Sequence, residues 1–192
     1  SRGLGDVYKR QELNEYVKGC NAIASCLGHN MSFQGIFGKP RKLVTDATKR
    51  LCSAINEGEP KSTVKYILMN TVGNRNRDLP EKISFSEKCI IWLLRLLVPP
   101  HIDNEEAADF LRTKIGQNDN TIKWVVVRPS SLIDEEDVSE YKTHSSPTRS
   151  AIFNDGKVSR VNVAAFMNKL ITDQNIWEKW KGQMPVIYNK EI

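Results

Sequence analysis

IKWVVVRPSSL (residues 122–132) carries Ile122, Trp124, Val125, Val126 and Val127 almost without polar interruption until Pro129 ends the run. A β-branched, apolar run of this kind, broken at its end by proline, is the strongest strand signal in the chain. Working outward, NAIASCLG (21–28) is a shorter apolar run that empties into glycine, and TVKYILMNTVG (63–73) is a second strand ending in small and polar residues.

The segments between these strands have the helical period. PRKLVTDATKRLCSAI sets Leu43, Val44, Ala47, Leu51, Ala54 and Ile55 on one face, with Pro40 placed to open the helix. In SFSEKCIIWLLRLLVPP, Ser84 and Glu87 form a capping box and the double proline is expected to stop the helix. Asp103 and Glu106 repeat the capping pattern for a further helix that Gly116 closes. YKTHSSPTRS reads as loop. AIFNDGKVSRV reads as two short strands around an Asn-Asp-Gly turn, VNVAAFMNKLITD and NIWEKWKG as helices, and MPVIYN as a last strand. The alternation predicts an α/β fold with a mostly parallel sheet and right-handed crossovers. Trp177 and Trp180 are expected to be packing anchors.

The 192 residues carry 27% charged and 40% hydrophobic residues, ordinary for one globular domain. The net charge is +5, and no block of like charges occurs, so a nucleic-acid partner is not expected. Four cysteines (20, 26, 52, 89) lack metal-ligand or C-x-x-C spacing, which argues against a metal site or a disulfide framework and fits a reducing compartment. The longest apolar run, CIIWLLRLLVPP, is about half of a membrane span and is broken by Arg95, so no span is expected and the protein reads as soluble and intracellular.

In open α/β sheets, ligands bind beyond the carboxyl ends of the strands. Those ends are Leu27, Gly28 and His29; Asn70, Thr71, Val72 and Gly73; and Arg128, Pro129, Ser130, Ser131 and Leu132. All are rich in small and polar residues, which let a flat ligand lie against the backbone. Thr71 is read either as a donor to a substrate carbonyl or as a turn threonine bonded to its own backbone. Arg128 is read either as a phosphate contact or as half of an ion pair with an acid such as Asp134. Lys39, Arg41 and Lys42 at a helix start read as a solvated basic turn, with anion binding as the alternative.

CNAIASCLG, YILMNTVG, IKWVVVRPSSL and VSRVNVAAFM together resemble the later strands of the short-chain dehydrogenase/reductase superfamily, above all its atypical, NmrA-like NAD(P)-binding branch. The resemblance covers about residues 20–190. It implies a partial Rossmann-like doubly wound parallel sheet, lacking its first strands and glycine-rich turn. It also implies an NAD(P) cofactor, with NADP preferred, and an unknown small-molecule substrate. By this likeness Leu27, Gly28 and His29 lie near the adenosine; Asn70, Thr71 and Gly73 beneath the nicotinamide; and Arg128, Pro129, Ser131 and Leu132 beside its amide. Residues 159–164 frame the pocket.

The implied function is oxidoreduction of a small carbonyl compound. The alternative is a non-catalytic dinucleotide-binding redox sensor, assembly factor or scaffold, and a sugar-nucleotide epimerase ranks lower. The superfamily's Tyr-x-x-x-Lys pair occurs nowhere in the chain, and Glu105 and Glu106 stand near the expected lysine. No catalytic residue is therefore assigned. His101 is the substitute acid to consider, although a histidine after two prolines is ordinarily a surface or capping residue.

GLGDVY (3–8) has the look of a phosphate turn but lacks a preceding strand, and Tyr8 stands where a third glycine belongs. DVYKRQ is one reading frame of a transposon adapter used in sequencing libraries, so residues 1–11 are expected to be foreign. Residues 12–192 would then be the C-terminal part of a single NAD(P)-binding domain. On that expectation NAIASCLG is a bare sheet edge, prone to self-association, and dinucleotide binding by this stretch is weak.

Overall fold

The structure, a computed structural model, describes residues 4–30, 32–81 and 84–190. Its elements run α1 (Leu4–Val17), β1 (Ala22–Ser25), α2 (Phe33–Phe37), α3 (Leu43–Glu57), β2 (Val64–Met69), α4 (Phe85–Leu97), α5 (Pro99–Phe110), β3 (Ile122–Pro129), β4 (Ser131–Ile133), β5 (Tyr141–His144), β6 (Lys157–Ser159), α6 (Arg160–Thr172), α7 (Gln174–Trp180) and β7 (Val186–Asn189). Five strands form a sheet ordered β1-β2-β3-β7-β5, parallel except for antiparallel β5, and β4 and β6 pair separately.

The run at 122–129 is a strand, as its sequence predicts, and β3 is the centre of the sheet. Its alternate residues serve two cores because successive side chains leave a strand on opposite faces. Ile122, Trp124 and Val126 join Val64, Tyr66 and Leu68 under α3 and α5. Val125 and Val127 join Ile67 beneath α6 and α7, where Trp177 and Trp180 are buried. The mostly parallel, two-faced α/β sheet and the two tryptophan anchors are thus as expected.

Several local expectations are corrected. Pro99 and Pro100 end α4 but also open α5, where a missing N–H costs nothing in the first turn. Asp103 is therefore inside α5 rather than its cap. The segment read as loop contains β5, held by β7 through a pairing that local composition does not announce. No hairpin forms around Asn154-Asp155-Gly156; β6 instead pairs parallel with β4. The fully buried face of α3 is Val44, Thr45, Thr48, Cys52, Ala54 and Ile55. Leu43, Ala47 and Leu51 are only half-buried and line an apolar groove with Leu13 and Leu27.

The capping box of Ser84 and Glu87 is formed as predicted, and Gly116 closes a widened last turn after α5 with φ of +70°. Gly5, Asp6, Val7 and Tyr8 lie within α1, so this stretch is helix and not a phosphate turn. Gly3 lies outside the described residues.

Candidate functional site

Because β1, β2 and β3 are adjacent and parallel, their carboxyl ends open on one edge of the sheet. The tail of β2 continues along β3: Asn70 N donates to Val127 O at 2.8 Å, and Val72 N donates to Pro129 O at 2.9 Å. This lays residues 71–73 beside Pro129 and Ser130. Asn70 fastens the turn, its side-chain amide donating to Asn104 O at 2.9 Å and its oxygen accepting from Thr71 N at 2.9 Å. Thr71 Oγ1 accepts from Gly73 N at 3.3 Å, the self-bonded turn, and its hydroxyl proton is still available to donate. A Cβ added at Gly73 would meet its first neighbour, the His101 ring, at 3.8 Å, so the surface here is low and open.

Thr71, Gly73 and Ser131 are brought together around a cavity of about 230 Å³, with Ser130, His101, Asp155 and an apolar wall of Ile91, Leu94 and Ile152. Ser131 Oγ donates to Asp155 Oδ2. Ser130 Oγ, buried on this cavity, finds no hydrogen-bond partner among the described residues, and His101 Nε2 on the same cavity makes no well-aligned hydrogen bond, only a 3.4 Å contact with Glu105. Buried polar groups are ordinarily satisfied, so these two atoms around one hollow indicate where a polar ligand atom belongs.

His101 departs from the surface residue expected of it: its side chain is 11% exposed, beside the Gly73 turn. Its Nε2 lies 3.4 Å from Glu105 Oε1, one helical turn on. Arg95 of α4 grips the same carboxylate through Nε and Nη2 at 2.9 Å, and Arg77 approaches it at 3.7 Å. Burial alone would raise the Glu105 carboxyl, but His101 and Arg95 outweigh it and hold the group at about 2. Sequence reasoning placed Ser130 at a strand end but gave it no role, and it took Asp155 for a turn residue. The signal for Ser130 was its place directly after the Val-Arg-Pro ending.

Gly28 and His29 line a second hollow of about 300 Å³ with Ser32, Gln34 and Lys39. His29 is not free to turn into it: Nε2 meets Asp103 Oδ2 at 2.8 Å and Nδ1 meets Gly35 O at 3.2 Å. Asp103 also accepts from Val44 N and Thr45 N at 2.8 and 2.9 Å, capping α3, which lacks a side-chain cap of its own. That carboxylate occupies the place where the basic turn would receive an anion, and Lys42 is paired with Glu106. Burial would raise the Asp103 carboxyl; bonds from Thr45, His29 and Val44 prevail and hold it below the usual range.

Two predicted residues stand apart. Leu27 is exposed along the apolar groove against α3. Arg128 is fully buried, donating to Glu81 Oε1 (2.7 Å), Met184 O (2.7 Å), Asn74 O (2.9 Å) and Ser145 O (3.2 Å). Its ion pair is with Glu81, while Asp134 pairs with Arg160. The guanidinium braces the loops on either side of β3 instead of facing the cavity, whereas Pro129, Ser130, Ser131 and partly exposed Leu132 carry on past it.

The hydroxyls of Thr71 and Ser130 and the low surface at Gly73 fit the planar, hydrogen-bonding end of a dinucleotide. Among the described residues no glycine-rich turn for its phosphates is present. No described helix is long and apolar enough to cross a membrane, and no described cluster of His, Cys, Asp and Glu could hold a metal ion.

Comparison with known proteins gives a consistent frame. The profile of the NAD(P)H-binding family matches residues 3–174. No curated protein sequence matches the chain. Among solved structures, the fold is similar to the oxidoreductase ylbE of Lactococcus lactis (14% identity, TM-score 0.60), over 95% of this chain and 68% of that one. A short-chain dehydrogenase/reductase of Veillonella parvula in complex with NADP matches at 14% identity and TM-score 0.60, over 94% and 68%. The anaerobilin reductase ChuY of Escherichia coli O157:H7 matches at 16% identity and TM-score 0.62, over 98% and 74%. At these identities the likeness is one of fold.

Proposed function

Since the chain belongs to the NAD(P)H-binding family, we propose that it places a nicotinamide dinucleotide across the ends of β1, β2 and β3 and uses it to reduce a small carbonyl compound. Gly28 and His29, then Asn70, Thr71 and Gly73, and finally Pro129, Ser131 and Leu132 line its path. Arg128 contributes from behind, by fixing the backbone that carries Ser130. When bound, the reduced dinucleotide supplies a hydride, and the protein supplies orientation and hydrogen bonds to the oxygen that gains charge.

The observation that carries this reading is the unpartnered buried Ser130 Oγ together with His101, whose Nε2 has only the 3.4 Å Glu105 contact, on one cavity at adjoining strand ends. The Veillonella reductase of similar fold was solved with NADP, which favours NADP as the form to try first. A second reading, a binder that senses the dinucleotide without turnover, is favoured by one specific fact: the sequence has no Tyr-x-x-x-Lys pair.

Titration of the chain with NADPH and NADH, followed by the cofactor's fluorescence, tests binding. Saturable binding below the millimolar range is expected, tighter for NADPH. Steady oxidation of bound NADPH by a panel of small aldehydes and diketones then separates reductase from sensor. Absence of saturation at millimolar cofactor would overturn both.

A further inference from the structure

We propose that His101 is the proton donor of the site, that Ser130 binds the same substrate oxygen, and that the substrate is a small uncharged carbonyl compound. This rests on the dinucleotide reading above, but its geometry is independent of it. One cavity of about 230 Å³ is lined by Ser130, whose buried Oγ has no partner, and by His101, whose Nε2 makes no aligned hydrogen bond and has only a 3.4 Å contact with Glu105. A carbonyl oxygen has two lone pairs and satisfies both donors at once. The apolar wall that includes Ile91 receives the carbon skeleton. Asp155, on the same cavity, disfavours a substrate that brings its own negative charge.

The groups facing His101 suit it to this work. Glu105, on its own helix, stands 3.4 Å from Nε2 and orients the ring without forming a well-aligned hydrogen bond that would engage the proton. Arg95 from α4 and Arg77 from the loop before it hold the Glu105 carboxylate in place and ionised. Asp155 is the remaining charge on the cavity. Glu105 is thus a positioning residue, acting through the ring it faces.

The reaction balances with these groups. The carbonyl carbon accepts the hydride and is reduced by two electrons, and the C=O π pair moves to the oxygen. The oxygen takes the His101 proton while Ser130 donates a hydrogen bond to it. The products are an alcohol, an oxidised dinucleotide and a neutral imidazole that regains its proton from water.

Two measurements on the full chain test this. In the first, isobutyramide, a small amide with a carbonyl oxygen but no reducible carbonyl, is titrated without cofactor while the ring resonances of His101 are followed by NMR. Saturable shifts are expected in the wild type, and at least tenfold weaker binding in Ser130→Ala. In the second, NADPH oxidation by 2,3-butanedione is followed. His101→Gln should lower kcat by about 100-fold, the ordinary worth of a general acid, with NADPH affinity unchanged. Glu105→Gln should lower kcat by about tenfold with little change in KM.

Turnover of His101→Gln within threefold of wild type overturns the assignment, as does an absence of ring shifts with isobutyramide. Failure of the wild type to bind NADPH would instead overturn the dinucleotide reading, and the amide titration would still decide the fate of the pocket.

Discussion

His29 Nε2 lies 2.8 Å from Asp103 Oδ2, and this contact joins residues 74 apart in sequence. The same carboxylate caps α3, so the loop after β1, the start of α3 and the middle of α5 meet at one buried charge. What the local sequence presents as a helix cap is a cap for a different helix.

Asp103→Asn keeps the shape but loses the charge and turns an amide donor toward backbone donors. We expect destabilisation of about 2 kcal/mol, measured by urea unfolding. Because the folded carboxyl is held below its usual range, its contribution is fully present above the unfolded value. It is lost as pH falls through the lower, folded one. The gap between wild type and variant should therefore be constant at neutral pH and close in acid.

Glu105 behaves with the same sign. Its folded value of about 2, against an ordinary 4.5, means that its stabilising contribution is complete above pH 4.5 and fades toward pH 2. Glu105→Gln should cost about 2 kcal/mol at neutral pH, since Arg95 is partly exposed and recovers some hydration. Unfolding curves at neutral and acid pH check both magnitude and direction.

Arg128 makes four hydrogen bonds in a fully buried position, one of them to Glu81, which is itself nearly without exposure. Arg128→Ala leaves that carboxylate uncompensated and should cost about 4 kcal/mol. A double replacement, Arg128→Met with Glu81→Leu, should recover most of the loss, because it removes both charges together. Equal destabilisation in the single and double variants would contradict this.

Among the described residues, β1 has a single strand neighbour, β2, so its other side is a sheet edge. Ala24 is exposed on it. We expect concentration-dependent self-association through this edge, read by light scattering, and a clear reduction in Ala24→Lys, since an edge lysine opposes strand addition. Unchanged scattering in that variant would place the contact elsewhere.

The periodicities legible in the sequence are those that follow from local chemistry. The run at 122–127 read as a strand, Ser84 and Glu87 could only open a helix, and Gly116 was suited to close one. The resemblance carried the family, and strand ends gave Thr71, Gly73 and Ser131, which line one cavity. Tertiary structure alone decided which of these residues face one another. Arg128 follows the strand's alternation inward, where only a distant Glu81 could neutralise it. Asp103 serves another helix because three segments converge there. His101 becomes a largely buried group facing the cavity and Glu105 because α5 begins at the prolines and packs beside the Gly73 turn. Charges and orphaned hydrogen bonds are settled by neighbours that sequence spacing does not encode, and here those neighbours make the site.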